Sequence, residues 1–101
     1  MSTDGRRTYY DHEGAYRAIA EKGGRGWDDH CANPQNDSYS ALEAFLASPF
    51  APARGARALE LGCGGGQASL LLARAGYFAT GVDFAETAIE LARMNARDAG
   101  L

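Results

Sequence analysis

Residues 57–66, Arg-Ala-Leu-Glu-Leu-Gly-Cys-Gly-Gly-Gly, constrain this chain more than any other stretch. A short apolar run containing Ala58, Leu59 and Leu61 leads straight into four glycines in five positions, 62 to 66. Such a run reads as a strand, and the glycines as a turn whose backbone a ligand can approach closely. Gln67–Ala75 follows with Leu70, Leu71, Leu72 and Ala73 and reads as a helix closed by Gly76. Tyr77–Asp83 reads as a second strand. Glu86–Arg97 reads as a further helix, with Ala88, Ile89, Leu91, Ala92 and Met94 apolar and Glu90 spaced to pair with Arg93 or Arg97. Strands separated by helical segments of roughly 10–15 residues pair in parallel through right-handed crossovers. The expected class is therefore α/β.

The residues ahead of this unit have a different character. Asp11–Lys22 reads as a helix with Ala15, Tyr16 and Ile19 on one face, Asp11 as cap and Gly23 beyond its end. Gly14 weakens it by about 1 kcal/mol relative to alanine. Gly23-Gly24-Arg25-Gly26 interrupts the chain, and Trp27–Asp37 reads as a loop. Asp37 or Ser38 caps a second helix, Tyr39–Ala47, with Leu42, Phe45 and Leu46 at helical spacing. Ser48–Gly55, with Pro49 and Pro52, reads as a linker, and Met1–Tyr10 as a frayed leader. Two segments are expected: a helical cover over 1–55, and the α/β unit over 56–101.

Charge and cysteine usage narrow the function. The net charge is −3, and nine arginines and Lys22 are scattered without a basic surface for a phosphate backbone. A nucleic-acid partner is not expected. No run approaches the ~20 apolar residues of a membrane span, and Met1–Asp11 is polar where a secretory leader would be apolar. A cytoplasmic location is expected. Cys31, Cys63, His12 and His30 form no metal-ligand spacing, so no metal centre is expected. Cys63 reads as a small filler between glycines, because no base neighbours it, and both histidines read as surface residues. Oligomeric state leaves no mark on the sequence.

The glycine turn presents backbone N–H groups and the positive end of a helix at one point. A dinucleotide fingerprint would be G-x-G-x-x-G/A. Counted from Gly62 its sixth place is Gln67, and counted from Gly64 it is Ser69, so neither register fits. Glu60 also stands two residues ahead of the first glycine, where it would oppose a pyrophosphate by roughly 1–4 kcal/mol. A ligand with an ammonium and a sulfonium would be welcome there. Asp83, at the end of the second strand, faces the same edge. Its two oxygens match a vicinal diol, at roughly 1.5–3 kcal/mol for each bond to a charged acceptor. Capping the helix that starts at Glu86 is the other role open to it, and the two are compatible.

Glu60-x-Gly62-x-Gly64-x-Gly66 resembles the first motif of the class I S-adenosylmethionine-dependent methyltransferases, and Gly81-Val82-Asp83-Phe84 followed by Ala88-Ile89 resembles their second-strand motif. The resemblance covers about 57–101. It implies a Rossmann-like three-layer sandwich with parallel strands and N-terminal helices in front, truncated here after the second β-α unit. It implies S-adenosylmethionine as cofactor. Gly62, Cys63, Gly64 and Gly66 would line its methionine part, Glu60 would orient the turn and help hold the amino group, Asp83 would take the ribose hydroxyls, and Phe84 would lie against adenine. Trp27, Asp28 and Tyr39 are placed to close over it, although Trp27 also reads as an anchor of the front segment. The implied reaction is methyl transfer to a small-molecule acceptor, with no residue of this chain nameable as catalytic base. Because the family carries further strands, these 101 residues alone are expected to bind cofactor weakly or not at all and not to turn over. The rival readings are a nicotinamide-dependent oxidoreductase and a non-catalytic truncated cofactor-binding module.

Overall fold

Two short strands, β1 (Arg57–Leu61) and β2 (Phe78–Val82), pair in parallel with Leu59 opposite Thr80 and Leu61 opposite Val82. They belong to a computed structural model that describes residues 10–27 and 37–101. Around them lie α1 (His12–Glu21), α2 (Asp37–Leu46), α3 (Gln67–Arg74) and α4 (Glu86–Asp98). The strand–helix–strand–helix order over 57–98 is the one expected, and its parallel pairing is Rossmann-like. The expected leader and most of the expected 27–37 loop, with Asp28, His30 and Cys31, lie outside the described residues.

The crossover helix α3 packs on both strands. It covers the face formed by half-buried Ala58, Glu60, Ala79 and Gly81. Small residues are needed there: a Cβ at Gly81 would lie 2.8 Å from both Cys63 Cβ and Ser69 Oγ. The opposite face is apolar and open. Leu61 is 77% exposed and Phe78 71%, so no helix among the described residues covers it.

The main core forms between α1 and α4. Tyr16 and Ile19 meet Ala85, Ala88 and Leu91, flanked by Ala20, Trp27 and Met94. These are the apolar faces read from the sequence, and each buried large side chain is worth roughly 1.5–3 kcal/mol. α2 rests on α3 and starts at Asp37, two residues ahead of the expected Tyr39.

Helix ends follow local chemistry. Asp11 Oδ1 accepts from Gly14 N–H at 2.9 Å and caps α1. Past α1, α3 and α4, the glycines at 23, 76 and 100 take positive φ. In each case the glycine and the residue after it return N–H groups to the last turn, as with Gly76 to Ala73 and Tyr77 to Leu72. One expectation fails: Glu90 pairs with neither Arg93 nor Arg97 among the described residues. The long exposed side chains gain too little from such a pair to be fixed. Ion pairs form instead between Arg17 and Glu13 at 2.9 Å and between Arg25 and Asp98 at 3.1 Å.

Candidate functional site

The glycine turn is held from several directions. Cys63 N–H donates to Val82 O at 2.9 Å and Gly66 N–H to Cys63 O at 2.9 Å. Gly64 N–H donates to Asp83 Oδ2 at 2.8 Å. Gly62, Gly64 and Gly66 have φ of 69°, 55° and 84°, the left-handed region that side chains resist. Gly64 is doubly constrained, because a Cβ there would run into the hydroxyl of Tyr16. The first helix therefore sits directly on the turn.

Both carboxylates singled out in the sequence bind backbone. Asp83 bridges the turn to α4: besides Gly64 it accepts from Ala85 N–H on Oδ1 at 2.8 Å. It does not cap α4 in the expected way. The cap position is Ala85, since the helix starts three residues past Asp83. The first-turn amide of Thr87 goes instead to Glu13 Oε1 at 2.7 Å, while the Thr87 hydroxyl donates to Glu13 Oε2 at 2.7 Å. Glu60 does the same for α3. Its Oε1 accepts from Ser69 N–H at 3.1 Å and from the Ser69 hydroxyl at 2.7 Å. Gly66 and Ala85, at the two cap positions, offer no side-chain oxygen, so a carboxylate from another element caps each helix.

The titration of two groups reflects these contacts. The Thr87 amide, then its hydroxyl, hold Glu13 below the usual carboxylate range, with a smaller contribution from Arg17. Burial first, then the negative charges of Asp83 and Glu60, push the Cys63 thiol up. Cys63 is buried and points its Sγ toward Gly64 O at 3.7 Å. It fills space under the turn as a protonated thiol, as its sequence context suggests.

Beyond the carboxyl ends of the strands lies a cavity of about 1300 Å³. Leu61, Gly62, Val82, Asp83 and Phe84 form one wall, and Tyr10, His12, Tyr16 and Trp27 the other. The aromatic wall is continuous: Trp27 has its ring centroid 5.5 Å from Tyr16, 5.6 Å from His12 and 6.1 Å from Tyr10. Asp11 and Glu13 also line the space, and no lysine or arginine among the described residues does. Aromatic faces with carboxylates attract a cation.

Gly62, Asp83 and Phe84 of the expected set thus reach the cavity. Phe84 is fully exposed at its mouth. Glu60, Cys63, Gly64 and Gly66 lie behind the wall and shape the turn. Trp27 packs on the core, as its reading as an anchor foresaw, and it also lines the cavity. Tyr39 does not join it; it lines a separate hollow of about 900 Å³ between α2, α3 and α4. His12 is exposed at the rim. Glu13, Tyr10 and Tyr16 were not singled out for the site. Only the helical face shared by Tyr16 and Ile19 hinted at any of them.

A family described as "Methyltransferase domain" matches residues 52–101. Among curated proteins the chain is 42% identical over 82 residues to a ubiquinone biosynthesis O-methyltransferase of Paracidovorax citrulli, covering 81% of this chain and 34% of that one. It is 34% identical over 92 residues to the protein of the same description in Alkalilimnicola ehrlichii, covering 90% and 36%. A third, from Xylella fastidiosa strain 9a5c, is 35% identical over 75 residues, covering 74% and 30%. The chain spans about a third of the length of these relatives. No solved structure gives a significant match. The turn, the two carboxylates and these likenesses agree: the chain belongs to the class I methyltransferase family.

Proposed function

We propose that the chain carries the S-adenosylmethionine-binding part of a methyltransferase acting on a small molecule. The observation that carries this is Glu60 on the N-terminus of α3. A dinucleotide fold places its pyrophosphate at that helix end, drawn by free amides and the helix dipole. Here a carboxylate already holds the Ser69 amide, and Asp83 holds the Gly64 amide. The usual anion site is filled with negative charge. An adenosyl donor with a cationic methionine end suits what remains.

The cavity residues fit that ligand. Asp83 at the wall would take the ribose hydroxyls on oxygen lone pairs its two backbone donors leave over. Gly62, open on its cavity side, would let the methionine part lie against the backbone. Exposed Phe84 would stack on adenine, and Tyr16 and Trp27 would face the cation. Bound there, the sulfonium supplies a methyl group open to in-line attack by an acceptor nucleophile. The chain's own residues contribute positioning and exclusion of water, and none is assigned as base. The relatives' description supports an oxygen on an aromatic quinone precursor as acceptor.

Backbone amide NMR tests the reading. Millimolar S-adenosylmethionine or S-adenosylhomocysteine should shift the amides of Gly62–Gly66, Asp83 and Phe84 in the 101-residue chain. If NADH at equal concentration moves those signals and S-adenosylmethionine does not, the chain is a nicotinamide-binding unit. If neither moves them, the cofactor assignment to this chain is wrong.

A further inference from the structure

Asn95, on α4, contacts two separate stretches of chain through three hydrogen bonds. Its Nδ2 donates to Gly65 O at 2.8 Å and to Arg25 O at 3.0 Å. Its Oδ1 accepts from Arg25 Nη1 at 3.4 Å, and the same guanidinium nitrogen reaches Asp98, one turn along, at 3.1 Å. Both protons of one amide nitrogen are therefore committed to two backbone carbonyls that are 40 residues apart in sequence. The two backbones touch there. A Cβ at Gly65 would run into Arg25 O, and one at Gly26 into the side-chain amide of Gln67.

We propose that Asn95 is a positioning residue that ties the glycine turn to the aromatic wall, so that turn and wall move as one body. The peptide between Gly65 and Gly66 is fixed at both ends, its oxygen by Asn95 and its N–H by Cys63 O at 2.9 Å. On the other side, Arg25 lies two residues ahead of Trp27, which packs on Tyr16 and lines the cavity. A ligand that reorients the turn therefore pulls on Trp27, and a wall that opens loosens the turn. The side-chain chemistry is specific. Aspartate has the same shape but cannot donate to either carbonyl, and alanine removes every contact. The ligand half of this inference rests on the proposed cofactor reading; the mechanical half does not.

Trp27 is the only tryptophan and reports directly on the wall. In the ligand-free chain, Asn95→Asp and Asn95→Ala should red-shift Trp27 emission and raise its quenching by acrylamide, at temperatures where both remain folded by circular dichroism. A residue that merely supports the fold would lower the melting midpoint and leave that quenching unchanged. Unchanged quenching in the folded variants therefore overturns the proposal. Gly65→Ala offers an independent route, because its methyl pushes Arg25 away with Asn95 intact, and the same rise in quenching is expected. Should the variants not fold, hydrogen exchange on the unaltered chain decides: the amides of Gly26, Trp27, Gly65 and Gly66 must share one opening, and separate openings refute the coupling. In the presence of S-adenosylmethionine, Asn95→Asp should weaken binding about tenfold, a loss of about 1.4 kcal/mol. If the unaltered chain shows no binding, the cofactor reading fails while the quenching result still stands.

Discussion

Replacing Asp83 separates its structural role from its role toward a ligand. The carboxylate accepts two backbone hydrogen bonds of 2.8 Å each, from Gly64 and Ala85. A bond to a charged acceptor is worth roughly 1.5–3 kcal/mol when shielded. Asp83 is only half-buried, so water replaces part of each, and about 1–1.5 kcal/mol per bond is a fair figure. Asp83→Ala should therefore cost about 2–3 kcal/mol, which for a chain of this size lowers the melting midpoint by roughly 10–20 °C. Asp83→Asn keeps one acceptor oxygen and turns an NH₂ toward the other donor, so it should fall between alanine and the parent. Urea unfolding followed by Trp27 fluorescence measures the order. A ligand role adds a separate effect: at temperatures where the variants are folded, S-adenosylmethionine binding should weaken about tenfold in both. An alanine variant within about 0.5 kcal/mol of the parent would refute the bridge between turn and helix. A stable loss with unchanged binding would leave the bridge and remove the ligand role.

Glu13 titrates below its ordinary value when folded, so its stabilising contribution is present above the unfolded pKa of 4.5 and is lost as pH falls below it. Glu13→Gln should flatten the acid limb of a stability–pH curve measured between pH 3 and 6, about the range of that titration. The raised Cys63 pKa predicts the reverse sign at high pH, with stability lost above 9.0, and slow alkylation of the folded Cys31→Ser variant at neutral pH compared with its urea-unfolded form. Gly64→Ala should destabilise by about 1–3 kcal/mol through its positive φ and the clash with Tyr16, and Tyr16→Phe should recover part of that loss in the double variant. The open sheet face predicts concentration-dependent association in sedimentation runs, and Leu59→Lys with Leu61→Lys should reduce it.

Local signals were legible wherever one segment settles its own structure. Asp11 capping α1, the glycines at 23 and 76 closing helices, and the strand before Gly62 all follow from neighbours in sequence. The pairing of the two strands followed from their spacing. Long-range capping was not legible. Glu13 reaches Thr87 across 74 residues and Glu60 reaches Ser69 across nine, and nothing beside Gly66 or Ala85 announces a donor in need. Asn95 was passed over for the same reason. Its partners are two backbone carbonyls, and a carbonyl leaves no trace in residue type. The aromatic wall escaped because Tyr10, His12 and Tyr16 meet Trp27 only where the chain beyond α1 lays Trp27 back against that helix.

If the proposed function holds, the trans-capping arrangement would let a glycine-rich turn of this kind discriminate by charge. In a phosphate-binding turn the first amides of the helix stay free until the anion arrives, and the dipole rewards it by roughly 0.3–1 kcal/mol. Here Glu60 occupies that position before any ligand does, and Asp83 occupies an amide of the turn itself. A diphosphate would have to displace two carboxylates or sit beside them. Each close like-charge pair costs roughly 1–4 kcal/mol in partly screened surroundings, which exceeds what the dipole returns. The same two charges favour a cation by a comparable amount. Gly62 meanwhile leaves the backbone open on the cavity side, so a ligand's approach would be unhindered there. In the proposed site, steric access and electrostatic preference would thus be set by different residues: glycine at 62 would admit the ligand, and the carboxylates at 60 and 83 would decide which ligand it is.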